Sequence, residues 1–330
     1  MLVYAFRSVL RSTTCGIPKP DIVVGSSVHL LAAIAGLRLA RRYGVPFIFE
    51  VRDLWPQTLI DIGNLKPERP VTRILQSMEK WIYRNSDKIV TLLPYAVDYI
   101  VSLGINNKQI EWIPNGVDLA SFPEPPPPPQ RETFTLMYFG AHGNANGLES
   151  ILEAMSRLQD RKPEPKIHLR LVGDGFQKPA LMQKAQKMGL RNVSFEAPVQ
   201  KSFIPVLAGD ADAFVFSLVK APVFRYGISP NKLFDFMASA RPIIFYSDAM
   251  NNPVRDAGAG LTVMPEDPEA LAEAMIKLQS TPLHLRHEMG RAGRRYIEEH
   301  HDFRKLAQKF AKILYELQET HKNRSNKAVL

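Results

Sequence analysis

Short β-rich runs alternate with longer helix-like stretches along nearly the whole chain, and this alternation constrains the fold more than any other feature. The runs DIVVG (21–25), PFIFEV (46–51), KIVTLL (88–93) and IEWIP (110–114) are separated by helical patterns at 28–43, 70–85 and 95–103. A second series follows: FTLMYFG (134–140), IHLRLVG (167–173), VSFEA (193–197), AFVFSL (213–218), PIIFYS (242–247) and GLTVM (260–264). Strand, helix, strand in repetition closes most readily as a parallel sheet with helices on its faces, so the expected class is α/β with doubly wound lobes. At 330 residues, 45% of them hydrophobic, the chain is long enough for two such lobes.

The two series are separated by SFPEPPPPPQRE. Proline fixes φ and removes a backbone donor, so this stretch is neither a central strand nor a helix interior and reads as an extended spacer. The expected organisation is a first lobe over 1–118, a linker over 119–133, a second lobe over 134–302, a terminal helix over 303–320 and a loose polar tail over 321–330. The first lobe offers four strands against six in the second, and the chain opens inside a helix-like stretch, MLVYAFRSVLRSTT. The expectation is therefore a first lobe lacking its opening βαβ units.

A net charge of +9 and a pI near 9.5 suit a polyanion, an anionic membrane surface or a phosphate-bearing substrate. Nucleic acid is disfavoured, because no basic stretch is interleaved with stacking aromatics. The single cysteine, Cys15, excludes an intrachain disulfide and fits a reducing, cytoplasmic compartment. The longest apolar run, Ile22 to Ala40, is broken by Gly25, two serines and His29, and reads as strand, turn and helix rather than a membrane span. No cleavage pattern marks a signal peptide at the start.

The chemistry concentrates in FRYGISPNKLFDFMASARPII. Ser229 followed by Pro230 reads as a helix start, with Ser229 as the N-cap. Lys232 then falls in the first turn, where the helix dipole disfavours a cation by up to about 1 kcal/mol unless an anion shares the site. Free N–H groups at a helix start, with Lys232 and Arg225 beside them, suit a diphosphate. The alternative is an i,i+3 pair of Lys232 with Asp235 on a solvated face. Asp235 also suits a ribose diol one turn further along. A second phosphate-approach loop lies in YFGAHGNANGLES, where Gly140, Gly143 and Asn144 stand between a strand and a helix; the spacing is not that of a dinucleotide fingerprint.

The motifs FEVRDLWPQTLIDIG, IPNGVDLASF, YFGAHGNANGLESILEA, LVGDG and FRYGISPNKLFDFMASARPII, in this order, resemble the retaining glycosyltransferase family with the GT-B fold, family 4. The likeness is greatest to members that transfer N-acetylated amino sugars such as L-fucosamine in bacterial O-antigen, lipopolysaccharide or capsule synthesis. The resemblance implies two Rossmann-like lobes facing a cleft and a final helix that crosses back to the first lobe. It also implies a nucleotide sugar, UDP-linked by analogy, held mainly by the second lobe, and a lipid-linked or glycan acceptor held by the first.

Carried over residue by residue, Gly227, Ile228 and Ser229 match the family's loop around the sugar and diphosphate. Lys232 with Arg225 match the phosphate cations, Asn231 lies beside them, Asp235 meets the ribose, and Pro198 and Val199 line the base. The family often has two glutamates eight positions apart; here those positions are Gly227 and Asp235. Ala240 replaces a usual glycine, which implies backbone strain. The family's N-terminal glycine-rich loop has no counterpart in the sequence.

Arg52 and Asp53, at a strand end, are the candidate catalytic pair: Arg52 stands where relatives often carry an active-site histidine, and a structural ion pair is the alternative. Ser26 and His29 follow the first strand and are candidates for the acceptor side. Asp210 and Asp212 form a DxD pattern, but they precede a strand and read as turn residues. The histidines form no ligand cluster, so no metal and no cofactor beyond the co-substrate are expected. The stretch VTRILQSMEKWIYRN reads either as an ordinary amphipathic helix against the sheet or as a contact with anionic lipid, peripheral on the inner face of the membrane. A nucleotide-sugar epimerase of the same fold and an inactive nucleotide-binding fragment are the competing functions.

Overall fold

The computed structural model describes Val3, Gly16 and residues 18–27, 29–63, 65–123 and 132–327. The expected opening helix, apart from Val3, lies outside the described residues, as do Cys15, the central prolines at 124–131 and the last three residues. The chain forms two compact units: Met1–Asn115 with Ala221–Ser229 and Arg304–Leu330, and Gly116–Lys220 with Pro230–Phe303.

The first unit holds a parallel sheet of β1 (Val23–Ser26), β2 (Phe47–Val51), β3 (Lys88–Thr91) and β4 (Ile110–Trp112), in that spatial order. Helices α1 (Leu30–Tyr43), α2 (Gln57–Asp61), α3 (Pro70–Arg84) and α4 (Ala96–Ser102) make the connections. Gly44 ends α1 at φ 62, a left-handed conformation that glycine adopts without penalty, and its N–H bonds back to the last turn. The strand period of two sorts the core. Phe49 faces Tyr83 of α3, with ring centroids 5.4 Å apart, whereas Ile48 packs with Val90 and Ile113 against Ile313.

Ile313 belongs to α12 (Phe303–Lys327), whose Leu306, Phe310, Leu314 and Leu317 share one helical stripe and cover that face of the sheet. The expected helix end at 320 and loose tail are corrected: α12 continues to Lys327, since no glycine or proline interrupts it.

The second unit holds six parallel strands: β5 (Thr133–Phe139), β6 (Lys166–Val172), β7 (Val193–Glu196), β8 (Ala213–Ser217), β9 (Ile243–Tyr246) and β10 (Gly260–Val263). Their order is β10-β9-β8-β5-β6-β7. Between them run α5 (Leu148–Arg161), α6 (Lys178–Lys187), α7 (Ile204–Gly209), α8 (Asn231–Ala238), α9 (Pro253–Ala257), α10 (Pro268–Ser280) and α11 (Leu283–His300). Phe236 of α8 stacks on Phe214 at 4.5 Å and meets the edge of Phe139 at 4.6 Å, which fixes α8 over β5 and β8.

Asp212 is structural, as its position before a strand suggests: its carboxylate accepts the Thr135 N–H at 2.8 Å, and Asp210 pairs with Arg170. Ala240 adopts φ 51, so the residue that replaces a glycine does occupy a left-handed conformation. Residues 221–229, expected within the second lobe, are part of the first unit. There Tyr226 accepts the Tyr95 N–H through its carbonyl at 3.1 Å and packs its ring against Tyr99 at 5.3 Å.

Candidate functional site

In the second unit the strand order reverses between β5 and β8, and the crevice at their carboxyl ends is where an open α/β sheet binds ligands. After β5 the chain runs through Gly140 to Gly147 before α5 begins. The loop is tied to the exit of β8 by the Val219 N–H, which donates to Ala145 O at 3.0 Å, and by Ser217 Oγ, which donates to Asn146 O. Gly173, where β6 ends at φ 145, is required by close approach: a Cβ there would stand 2.0 Å from Gly140 O. Lys178 Nζ donates to Gly173 O at 2.7 Å and to Glu196 O at 2.6 Å, and so ties the exits of β6 and β7 together.

Helix α8 brings the cation. Its N-cap is Pro230 and has no side-chain cap, which corrects the expectation for Ser229. Ser229 Oγ instead accepts the Asn115 N–H at 2.8 Å within the first unit, so it is committed to that unit and does not close the helix. The Leu233 N–H turns back to Pro230 O at 3.1 Å, which leaves the N–H groups of Asn231 and Lys232, among the described residues, for another acceptor. Lys232, in the first turn, reaches back to the loop after β5. Its Nζ donates to Tyr138 Oη at 2.8 Å and to Asn146 Oδ1, and lies 4.7 Å from the centre of the Tyr138 ring. Tyr138 Oη and Asn146 Nδ2 both donate to Ala141 O, at 2.7 and 2.8 Å, which closes the network.

Every acceptor of Lys232 in this network is neutral. Burial without a compensating carboxylate lowers its ammonium pKa to about 7. The alternative pairing with Asp235 is absent among the described residues. Burial raises the Asp235 carboxyl to about 6, and the nearby Lys201 opposes the rise. His142, fully buried beside Tyr138 and Phe195, has no hydrogen-bond partner on either ring nitrogen among the described residues; burial and then Lys178 lower its pKa.

A cavity of about 500 Å³ is lined by Gly140, Ala141, Gly173, Asp174, Pro198, Val199, Lys201, Asn231, Lys232 and Asp235. Of the candidates, Gly140, Pro198, Val199, Asn231, Lys232 and Asp235 line this one cavity. Gly143 and Asn144 line a separate cavity of about 240 Å³ with Glu149 and Gln177. Arg225, Gly227, Ile228 and Ser229 belong to the first unit. Sequence reasoning missed Tyr138 and Asn146, although both stand in runs it singled out, a β5 strand position and the GNANG loop; their joint role depends on the fold.

In the first unit, Ser26 Oγ donates to Glu50, and the His29 ring meets Trp55 edge-on at 5.7 Å. Ser27, buried and not anticipated, organises the end of β2: its Oγ accepts the N–H of Arg52 at 2.9 Å and of Asp53 at 3.4 Å. Arg52 and Asp53 are exposed as residues, yet desolvation raises the Asp53 carboxyl above its ordinary value, with Arg52 opposing the rise. Among the described residues no group of histidine, cysteine or carboxylate side chains could hold a metal ion, and no helix is long and apolar enough to cross a membrane.

Residues 133–281 match the family described as Glycosyl transferases group 1, and residues 2–121 match Glycosyltransferase Family 4. WcaI of Escherichia coli (strain K12), named as a colanic acid biosynthesis glycosyl transferase, is 23% identical over 283 residues, which cover 81% of this chain and 68% of the relative. The sucrose-phosphate synthase of Thermosynechococcus elongatus is similar in structure with a TM-score of 0.76 at 20% identity, covering 97% of this chain and 78% of that one. HepE of Anabaena, solved in complex with UDP, has a TM-score of 0.68 at 15% identity, covering 89% and 79%. These structural likenesses identify the fold as GT-B.

Proposed function

The chain belongs to the group 1 and family 4 glycosyltransferases with the GT-B fold, and from that footing we propose that it moves an N-acetylated amino sugar from a UDP-linked donor to a lipid-linked or glycan acceptor of a bacterial surface polysaccharide, with retention of configuration. The observation that carries this reading is the half-buried ammonium of Lys232, held among the described residues by neutral acceptors in the first turn of α8 at the strand-order reversal. A diphosphate supplies the missing negative charge, and the free N–H groups of α8 supply donors for its oxygens. The UDP in HepE supports the choice of base.

In this reading Lys232 and the helix start hold the departing diphosphate and stabilise the charge that grows on it as the glycosidic bond breaks. Asp235 accepts from the ribose hydroxyls, and Pro198 and Val199 flank the base. Arg225 and the Gly227–Ser229 loop serve the sugar and phosphates. Arg52 and Asp53 orient the acceptor, with Ser26 and His29 on the acceptor side. The leaving phosphate oxygen takes the acceptor proton, which gives retention without a protein base. No metal is required, because Lys232 and Arg225 provide the countercharge.

The test is incubation with labelled UDP-N-acetyl sugars and bacterial membranes, with the anomeric configuration read by NMR. Label in the lipid or glycan fraction with the donor's configuration supports the proposal. Isomerised free UDP-sugar without acceptor would replace it with an epimerase, and binding without turnover would replace it with a nucleotide-binding role.

A further inference from the structure

Helix α3 packs Ile82 and Tyr83 inward but leaves a second apolar row facing solvent. Its buried residues are Thr72, Glu79, Ile82 and Tyr83. Of its apolar side chains, Val71 is 47% exposed, Ile74 59% and Trp81 39%, and Met78 is partly exposed between them. The spacing 71, 74, 78, 81 puts all four on one face, and a shallow, open cavity of about 380 Å³ lies among Arg73, Ile74, Ser77, Met78 and Trp81. The helix therefore spends its one acid on the interior and presents an apolar row to solvent.

The charges follow the same division. Glu79 is buried and accepts from Tyr83 Oη at 3.1 Å and Tyr99 Oη at 2.8 Å, so it adds no negative charge to the outer face. Arg73, Lys80 and Arg84 flank the apolar row, and Arg41 of α1 lies over the Trp81 ring at 5.3 Å. Lys66 and Arg69 stand in the preceding turn; Glu68 is the one exposed acid between Lys66 and Arg84.

We propose that the outer face of α3, with Val71, Ile74, Met78 and Trp81 as its apolar row and Arg73, Lys80, Arg84 and Arg41 as its rim, docks on an anionic lipid bilayer. The apolar row is one residue wide, suited to lying among acyl chains near the headgroups rather than to filling a pocket. Tryptophan beside arginine is a pairing that favours the membrane interface. Each cation brought to an anionic surface strengthens partition about fivefold, and no exposed acid on the helix opposes it. A second copy of this face would bring cation against cation, whereas an anionic bilayer complements the whole rim. The proposal is independent of which sugar is transferred, and a bilayer-bound face would bring the chain to a lipid-linked acceptor.

Co-sedimentation with vesicles of phosphatidylcholine, with and without phosphatidylglycerol, tests it. The expected result is binding only when phosphatidylglycerol is present, weakened by salt, with a blue shift of tryptophan fluorescence that the Trp81→Phe variant loses. Arg73→Glu with Arg84→Glu should weaken binding at least about tenfold, and Ile74→Ser, which alters an exposed side chain, several-fold. Lys187→Glu, an exposed control on α6, should change binding no more than about twofold. The proposal is overturned by equal binding to both vesicle types, by binding indifferent to the α3 variants, or by self-association of the native chain that Ile74→Ser abolishes. Transfer to a soluble acceptor, measured alongside, separates loss of docking from failure of the transferase reading.

Discussion

Lys232 and Tyr138 are joined twice: the Lys232 ammonium donates to the Tyr138 hydroxyl at 2.8 Å and sits 4.7 Å from the centre of the same ring. Tyr138 also fastens the loop after β5 through Ala141 O, so one tyrosine couples the first turn of α8 to the glycine loop that faces it. The cation is held in place before any ligand arrives, which lowers the ordering cost of binding a diphosphate. Lys232→Ala is expected to weaken affinity for a UDP-N-acetyl sugar by about 10- to 150-fold, the range for a lost charged hydrogen bond, as measured by calorimetry. Tyr138→Phe keeps the ring and removes the hydroxyl, and should weaken affinity about three- to tenfold. Equal affinities for the native chain and Lys232→Ala would sink this account.

The two titrating groups of the cavity set a pH window for donor binding. The ligand favours a charged Lys232, whose pKa is lowered to about 7, and an ionised Asp235, raised to about 6. Affinity for a UDP-N-acetyl sugar, whose diphosphate does not titrate near neutrality, should therefore be highest between those values. Above about 7 it should fall by up to about tenfold per unit as binding demands proton uptake, and below about 6 it should fall as Asp235 is protonated. Asp235→Asn should remove the acid limb alone.

Glu79 makes stability depend on pH. Burial raises its carboxyl from the ordinary 4.5 to about 8, despite hydrogen bonds from Tyr99 and Tyr83 that favour the ionised form. Between these values the folded chain keeps a proton that the unfolded chain has released, so stability declines as pH rises through the window. Glu79→Gln abolishes that decline. Its stability relative to the native chain should rise with pH from 4.5 to 8, by up to about 5 kcal/mol, followed by denaturant melts at several pH values; a constant difference would show that Glu79 does not titrate there.

Two backbone sites predict opposite outcomes for opposite exchanges. Ala240, at φ 51, is strained, and Ala240→Gly should stabilise by about 1 kcal/mol. At Gly173 an added Cβ would collide with Gly140 O, and Gly173→Ala should destabilise by on the order of 3 kcal/mol or more and weaken binding of a UDP-N-acetyl sugar, since Gly140 lines the cavity. Thermal melts compare both with the native chain.

The sequence by itself determined the ten strands among the described residues. Each run of β-rich residues became a parallel strand within a residue or two, because side-chain period and glycine punctuation act locally. It also marked Lys232, because a cation in a first helical turn conflicts with the local dipole. Tertiary structure alone decided the neighbours of that cation. Tyr138 and Asn146 meet Lys232 from positions 94 and 86 residues away in the chain, across the β5–β8 reversal. In the same way, only the fold gave residues 221–229 to the first unit and turned the apolar row of α3 outward. Local patterns record how a segment can fold, whereas which face is buried depends on surfaces supplied by distant parts of the chain.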